Sequence, residues 1–258
     1  MTGKDVAFVW FTYELDAKLA CLSVASVRRV LPDAALVVIE DAASPIDRQS
    51  MEFFAELGVD VKNSHWERGG KLTGRPALLG VIQALSNAAE QHSRLMAFKI
   101  DSDTVILDAT WLRQMSEEAP AMGLYTEGRY FGEDRDPATW MGMCYGLSKK
   151  LLKPLIPWAT TSIVGPDAAE DVMVGQMIAA RRPIRYHYTP HQGIFTGVTW
   201  ADVDDEKLLQ EVSKNFDIVT VGNPVRDPRN GKELPPDKPR QAVVAKKILD
   251  YAMAPATT

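Results

Sequence analysis

The apolar residues of this chain fall into short blocks separated by helix-patterned stretches, and that alternation sets the expected architecture. Val6 to Phe11 is apolar throughout and carries no helical period, so it predicts a strand covered on both faces. Asp16 stands where it can cap a following helix, Ala17 to about Val30. The apolar positions Ala20, Val24 and Val27, with Leu31 just beyond, repeat there at spacings of four and three. Pro32-Asp33 turns the chain, and Ala35 to Ile39 predicts a second buried strand. Ser44-Pro45 predicts the start of a helix through Leu57, with proline in its first turn. Gly58 ends that helix, and Val59-Asp60-Val61 predicts a third, short strand. A helix from Pro76 to Gln91 then delivers the chain to a fourth apolar run within Arg94 to Leu107. This order predicts a mostly parallel sheet with helices on both faces.

Beyond Leu107 the pattern loosens. A short helix from Ala109 to Glu118, a strand from Ala121 to Tyr125, a polar loop from Gly128 to Thr139 and a strand from Met141 to Leu147 are expected. A helix follows from Ser148, another runs from Asp167 to Arg181, and Pro183 to Tyr188 predicts a late strand. Gly222 to Pro239 holds five prolines among many charges and predicts a mobile loop before a terminal helix, Ala242 to Met253. The expected organisation is one main domain over residues 1–221, with residues 222–258 packing on it.

Composition narrows the picture modestly. A length of 258 residues with 46% hydrophobic content supports one large α/β domain or two small ones. A net charge of −5 gives no global basic field for nucleic acid. Cys21 and Cys144 lie in apolar surroundings and read as buried thiols, because one pair cannot form a zinc site. No apolar run approaches the ~18 residues of a membrane span. The first residues lead straight into a strand without a signal peptide, so a cytoplasmic location is the expectation.

Four constellations carry candidate chemistry. Asp101-Ser102-Asp103 closes the fourth apolar run. Carboxylates there are costly to desolvate unpaired, and open α/β sheets bind ligands beyond the carboxyl ends of their strands. Such oxygen pairs suit a divalent cation that also holds phosphate, although a strand ending in a solvated turn would look the same. Glu170-Asp171 precedes apolar Val172, Val174 and Met177. Acidic residues favour helix N-termini in any case, but a partly buried carboxylate is also a candidate general base. His187 and His191 flank the late strand's end, and His191 leads as a metal ligand because Gly193 lets backbone approach a ligand. Arg68 to Arg75 places Lys71 and Arg75 among glycines before a helix, a fair anion site or a plain loop. Neither a Walker loop nor a dinucleotide-binding glycine fingerprint is present.

Together these residues resemble the GT-A superfamily of nucleotide-sugar-dependent glycosyltransferases. The likeness rests on Phe11-Thr12-Tyr13, on Asp101-Ser102-Asp103, and on Trp140 to Ser148, which looks like the family's acceptor-side strand. Glu170 to Gly175 is similar to the E-D-V-x-V-G stretch of β-1,3-galactosyltransferase-like families, and His191-Gln192-Gly193 to the histidine-glycine element of glycogenin-like families. The lysine-proline-tryptophan that usually follows that histidine is missing. The resemblance implies a Rossmann-like GT-A fold with a smaller acceptor-side sheet. It implies Mn²⁺ or Mg²⁺ on Asp103, with Asp101 and His191 as further ligands. Thr12, Tyr13, Lys71, Arg75, Asp101 and Ser102 would surround the nucleotide, UDP being the first choice. Asp171, and after it Glu170, would act on a carbohydrate or other hydroxyl acceptor.

Two other functions fit part of the pattern. Haloacid-dehalogenase-type phosphohydrolases also carry D-x-D after an apolar strand, but on the first strand and followed by Gly-Thr. A non-catalytic nucleotide-sugar-binding protein of the same fold would share every motif. Arg226, Arg229 and Lys232 lie where a loop folding over the site could oppose a diphosphate, so a lid is a further expectation.

Overall fold

The computed structural model describes residues 1–64, 72–114, 121–124, 143–162, 165–179, 186–189, 194–222 and 236–254. Its centre is a seven-stranded sheet of β1 (Val6–Thr12), β2 (Ala35–Glu40), β3 (Asp60–Asn63), β4 (Met96–Ile100), β6 (Ala121–Leu124), β7 (Cys144–Ser148) and β8 (Tyr186–Thr189). The order is β3-β2-β1-β4-β7-β6-β8. All pairs are parallel except those of β7, which runs against both neighbours. The strand order reverses between β1 and β4, so a crevice opens at their carboxyl ends.

Helices α1 (Ala17–Val30), α2 (Arg48–Glu56), α3 (Gly74–Gln91), α4 (Thr110–Gln114), α5 (Lys149–Thr161) and α6 (Glu170–Ala179) accompany this sheet. Alternate residues of the buried strands feed two separate cores. Phe8 and Trp10 pack with Ala20, Val24 and Val27 of α1, while Ala7 and Val9 pack with Leu78, Val81 and Ile82 of α3. Gly146 of β7 lets Phe98 of β4 lie against the backbone; a Cβ there would stand 2.5 Å from the ring.

The fourth apolar run is not one strand. It breaks at Asp101–Asp103, and Thr104–Ile106 forms β5 in a second sheet of order β5-β10-β9, with β9 (Ile194–Thr199) and β10 (Ile218–Gly222). The acidic turn therefore joins two sheets. Trp10 Nε1 donates to Ser23 Oγ at 2.8 Å, Ser23 Oγ donates to the Thr104 carbonyl, and the Ile106 N–H donates to Ser26 Oγ at 2.9 Å. α1 thus holds β5 in place. α7 (Glu206–Asn215) and α8 (Lys238–Met253) cover the small sheet through Leu209, Val212, Val244 and Ile248.

Several boundaries differ from the sequence reading. α2 starts at Arg48 rather than at Ser44-Pro45, because Asp47 caps it by accepting from the Ser50 N–H at 2.8 Å. α6 starts at Glu170 rather than Asp167. α8 starts at Lys238, inside the stretch read as a loop, where Asp237 accepts from the Arg240 N–H at 3.0 Å. Asp16 holds the N-cap position of α1 but its side chain does not cap. Cys144 is buried, whereas Cys21 is only partly so. The loop from Gly128 to Thr139 and residues 223–235, including the cations proposed for a lid, lie outside the described residues.

Candidate active site

A cavity of about 310 Å³ occupies the crevice at the carboxyl ends of β1 and β4. The acidic turn forms one wall and is pinned by backbone hydrogen bonds. The Asp101 N–H donates to the Met143 carbonyl at 2.8 Å, the Thr104 N–H to the Asp101 carbonyl at 3.1 Å, and the Val221 N–H to the Asp103 carbonyl at 2.9 Å. Asp101, Ser102 and Asp103 all line the cavity. Ser102 is 6% exposed, and among the described residues its Oγ has no hydrogen-bond partner. A buried hydroxyl without a partner costs free energy unless something fills its position.

The opposite wall is the first turn of α6. Residues 72–74 and 168–170 pair there: the Gly74 N–H donates to the Ala168 carbonyl at 2.8 Å and the Glu170 N–H to the Leu72 carbonyl at 3.1 Å. Gly74 permits this closeness, since its φ is +76° and a Cβ would stand 2.9 Å from the Pro166 carbonyl oxygen. Glu170 and Asp171 both line the cavity; Glu170 is buried, while Asp171 is partly exposed.

Two lysines complete the site, and neither was read from the sequence as a site residue. Lys99 lies two residues before Asp101 and projects from the same strand face. Its ammonium ion-pairs with Asp101 and lies 3.3 Å from Glu170 Oε1. Lys238, at the start of α8, pairs with Asp16 at 2.8 Å and lines the cavity beside Asp103. A lone lysine inside an apolar strand was the available signal for Lys99. Lys238 was hidden in the Pro-rich stretch.

The electrostatics follow from crowding carboxylates into a small volume. Burial pushes the Asp103 carboxyl up to about 7, with Asp101 and Asp16 adding to the effect against Lys238 and Lys99. Burial also pushes Glu170 up to about 7 against the pull of Lys99. For Lys99 burial works the other way, but Asp101 and Glu170 outweigh it and hold the ammonium above its ordinary value. One ammonium shared by two carboxylates stays charged, and the more distant one, Glu170, carries the unmet cost.

The remaining predicted residues are placed less uniformly. Thr12 and Tyr13 lie between Phe11 and Asp16, which line the cavity. Arg75 does not line it; its Nη2 donates to the Ser162 carbonyl at 2.5 Å. Lys71 and His191 lie outside the described residues, and His187 belongs to β8, separated from β4 by β7 and β6.

The donor atoms that face the cavity from the acidic turn are all oxygen, which fits Mg²⁺ or Mn²⁺ and not a soft metal. Among the described residues no group of three His, Cys, Asp or Glu side chains is placed to hold a metal. Mg²⁺ commonly takes only one or two carboxylates together with substrate phosphates, and Asp101 and Asp103 are the residues that could supply them.

A Rossmann-like sheet with a carboxylate-lined cleft at its switch point and a second small sheet defines this chain as having the GT-A fold. The comparisons with known proteins agree. No protein-family model matches the sequence, and no curated protein does. Solved structures do match. An active-site variant of LgtC superposes with a TM-score of 0.52 at 11% identity, covering 93% of this chain and 95% of that one. A glycosyltransferase involved in glycosylation of the major capsid of PBCV-1 gives 0.51 at 10% identity, covering 93% and 98%. The galactosyltransferase LgtC in complex with donor and acceptor sugar analogs gives 0.50 at 11% identity, covering 93% and 95%. At such identities the likeness is one of fold. Among the described residues no helix is long and apolar enough to cross a membrane.

Proposed function

We propose that the protein is a glycosyltransferase that moves a sugar from a nucleotide diphosphate sugar, a UDP-sugar first among them, to a carbohydrate or other hydroxyl acceptor. The observation that carries this reading is the cavity itself. It brings Asp101, the unpartnered Ser102 hydroxyl and Asp103 together on one side and Asp171 on the other, at the switch point of the sheet.

Asp101 and Asp103 are the residues that would hold Mn²⁺ or Mg²⁺, which when bound neutralises charge on the departing diphosphate. Ser102 Oγ is a free polar group for the donor. Lys238 supplies a positive charge on the same side, and exchanging Asp16 for diphosphate oxygens would cost it no net ion pair. In transfer, the acceptor oxygen bonds to the anomeric carbon as that carbon's bond to the diphosphate breaks. If the enzyme inverts, Asp171 takes the proton released by the acceptor hydroxyl. Asp171 is preferred to Glu170 because Glu170 is buried, lies 3.3 Å from Lys99 and accepts from the Tyr145 hydroxyl at 3.5 Å.

The phosphohydrolase alternative has little geometric support. The acidic turn follows the fourth strand and feeds a second sheet, while β1 ends in Thr12. The test is release of UDP from a panel of UDP-sugars with Mn²⁺, with and without simple sugar acceptors. Turnover lost in Asp103→Asn supports the reading. UDP binding without turnover of any donor, even by hydrolysis, would instead favour a non-catalytic binder.

A further inference from the structure

We propose that Lys99 is the positioning residue of this site: its buried ammonium ties Asp101, on the donor side, to the first turn of α6, and so sets where Asp171 stands relative to the donor. This rests on the functional reading above. The Lys99 side chain is 3% exposed and touches carboxylates from two different elements, Asp101 after β4 and Glu170 at the start of α6. Tyr145, opposite Lys99 across the β4–β7 ladder, donates to the same Glu170 oxygen. Asp101, Lys99, Glu170 and Tyr145 form a polar bridge, the first three of them lining the cavity, and Asp171 is the next residue after Glu170.

Stability alone gives little reason for an ammonium at this place. Met96, Ala97, Phe98 and Ile100 fill the rest of β4, all buried, and a buried ion pair seldom outperforms apolar packing of the same volume. A positioning role does give a reason. The reacting groups must meet within a narrow range of distance and angle, and a displacement of about 1 Å can cost about 100-fold in rate. The pairing of residues 72–74 with 168–170 fixes the backbone of that turn. Lys99 fixes its side-chain face to the acidic turn across the cavity.

The experiment compares wild type, Lys99→Met, Glu170→Gln and the double variant Lys99→Met/Glu170→Gln, which also removes the more buried of the two carboxylates left without their cation. Steady-state kcat is expressed per folded molecule, with the folded fraction taken from urea unfolding, and UDP affinity in Mn²⁺ is measured by calorimetry. The expected result is a fall in kcat of about 10–100-fold in both variants that lack Lys99, with UDP affinity held within about threefold. The double variant should regain thermal stability without regaining kcat. A purely structural lysine would move the unfolding midpoint and leave kcat per folded molecule at the wild-type value, which would overturn the proposal. Recovery of wild-type kcat in the double variant would overturn it equally. If Lys99→Met does not fold, the double variant is compared with Glu170→Gln alone: a further fall in kcat of about 10-fold or more supports the proposal, and equal kcat in the two overturns it. Failure of the functional reading is seen separately, in wild-type protein that turns over no nucleotide sugar, and the proposal would fall with it.

Discussion

Asp103→Asn should make the ligand-free protein more stable at pH 8 while disabling it. Burial beside Asp101 and Asp16 raises the Asp103 carboxyl from an ordinary 3.8 to about 7. In the unfolded chain such a group loses its proton near pH 4; in the folded protein it keeps it until about pH 7. Between those values the folded state binds more protons than the unfolded state. The stability tied to this proton is therefore fully present below about pH 4 and lost as pH rises through about 7. At about 1.4 kcal/mol per tenfold change in proton affinity, the shift is worth about 4 kcal/mol. The side chain also faces an open cavity, so solvent screening reduces this to about 1–2 kcal/mol. An asparagine of the same shape has no proton to lose, and Lys238 keeps Asp16 as partner. In metal-free buffer the variant's melting temperature should exceed that of wild type by about 2–8 °C at pH 8, with the gap closing towards pH 4. Glu170 titrates in the same direction in both proteins and cancels in the comparison. Equal melting temperatures at pH 8, or a gap that widens on acidification, would show that Asp103 does not hold its proton in the folded state as described.

Two further outcomes follow from the same geometry. Asp171→Asn should lower turnover by about 10²–10⁴-fold while leaving donor affinity unchanged, because a base acts only in the chemical step; single-turnover kinetics and calorimetry together decide it, and unchanged turnover would move the role to Glu170. Gly146→Ala places a Cβ 2.5 Å from the Phe98 ring, which is held by stacking on Phe8 at 5.0 Å and edge contact with Trp111 at 5.7 Å; overpacking of this kind costs about 1–3 kcal/mol, measurable by urea unfolding.

The parts of the fold that the sequence reveals are those whose hydrophobic period repeats over a full element. β1, α1 and β2 are legible because Val6 to Phe11 is apolar without a break and Ala20, Val24 and Val27 return at helical spacing. A smaller second sheet is implied by the family resemblance alone; the hydrophobic pattern does not mark its strands. β5 is three residues long and continues the apolar run of β4; the turn at Asp101–Asp103 separates them, and β5 is held by hydrogen bonds from Ser23 Oγ and to Ser26 Oγ. α2 was started too early because Ser44-Pro45 imitates a helix start, while the cap that operates is Asp47. At the site, the carboxylates are legible because they cluster in sequence. Lys238 is not, since its partner Asp16 is distant in the chain, and for Lys99 only the nearby Asp101 is visible while Glu170 lies far along the sequence. Arg75 shows a limit of local pattern: a cation beside glycines before a helix suits an anion, and the structure adds that its Nη2 donates to the Ser162 carbonyl.

The proposed function places a nucleotide diphosphate sugar in the cavity at the ends of β1 and β4, held through Asp101 and Asp103. Calorimetric titration of UDP in the presence and absence of Mn²⁺, on wild type and on Asp103→Asn, tests it most directly. Binding to wild type should depend on the metal and be largely lost in the variant, with the variant fully folded. Equal UDP affinity in both proteins, or affinity indifferent to Mn²⁺, would contradict it.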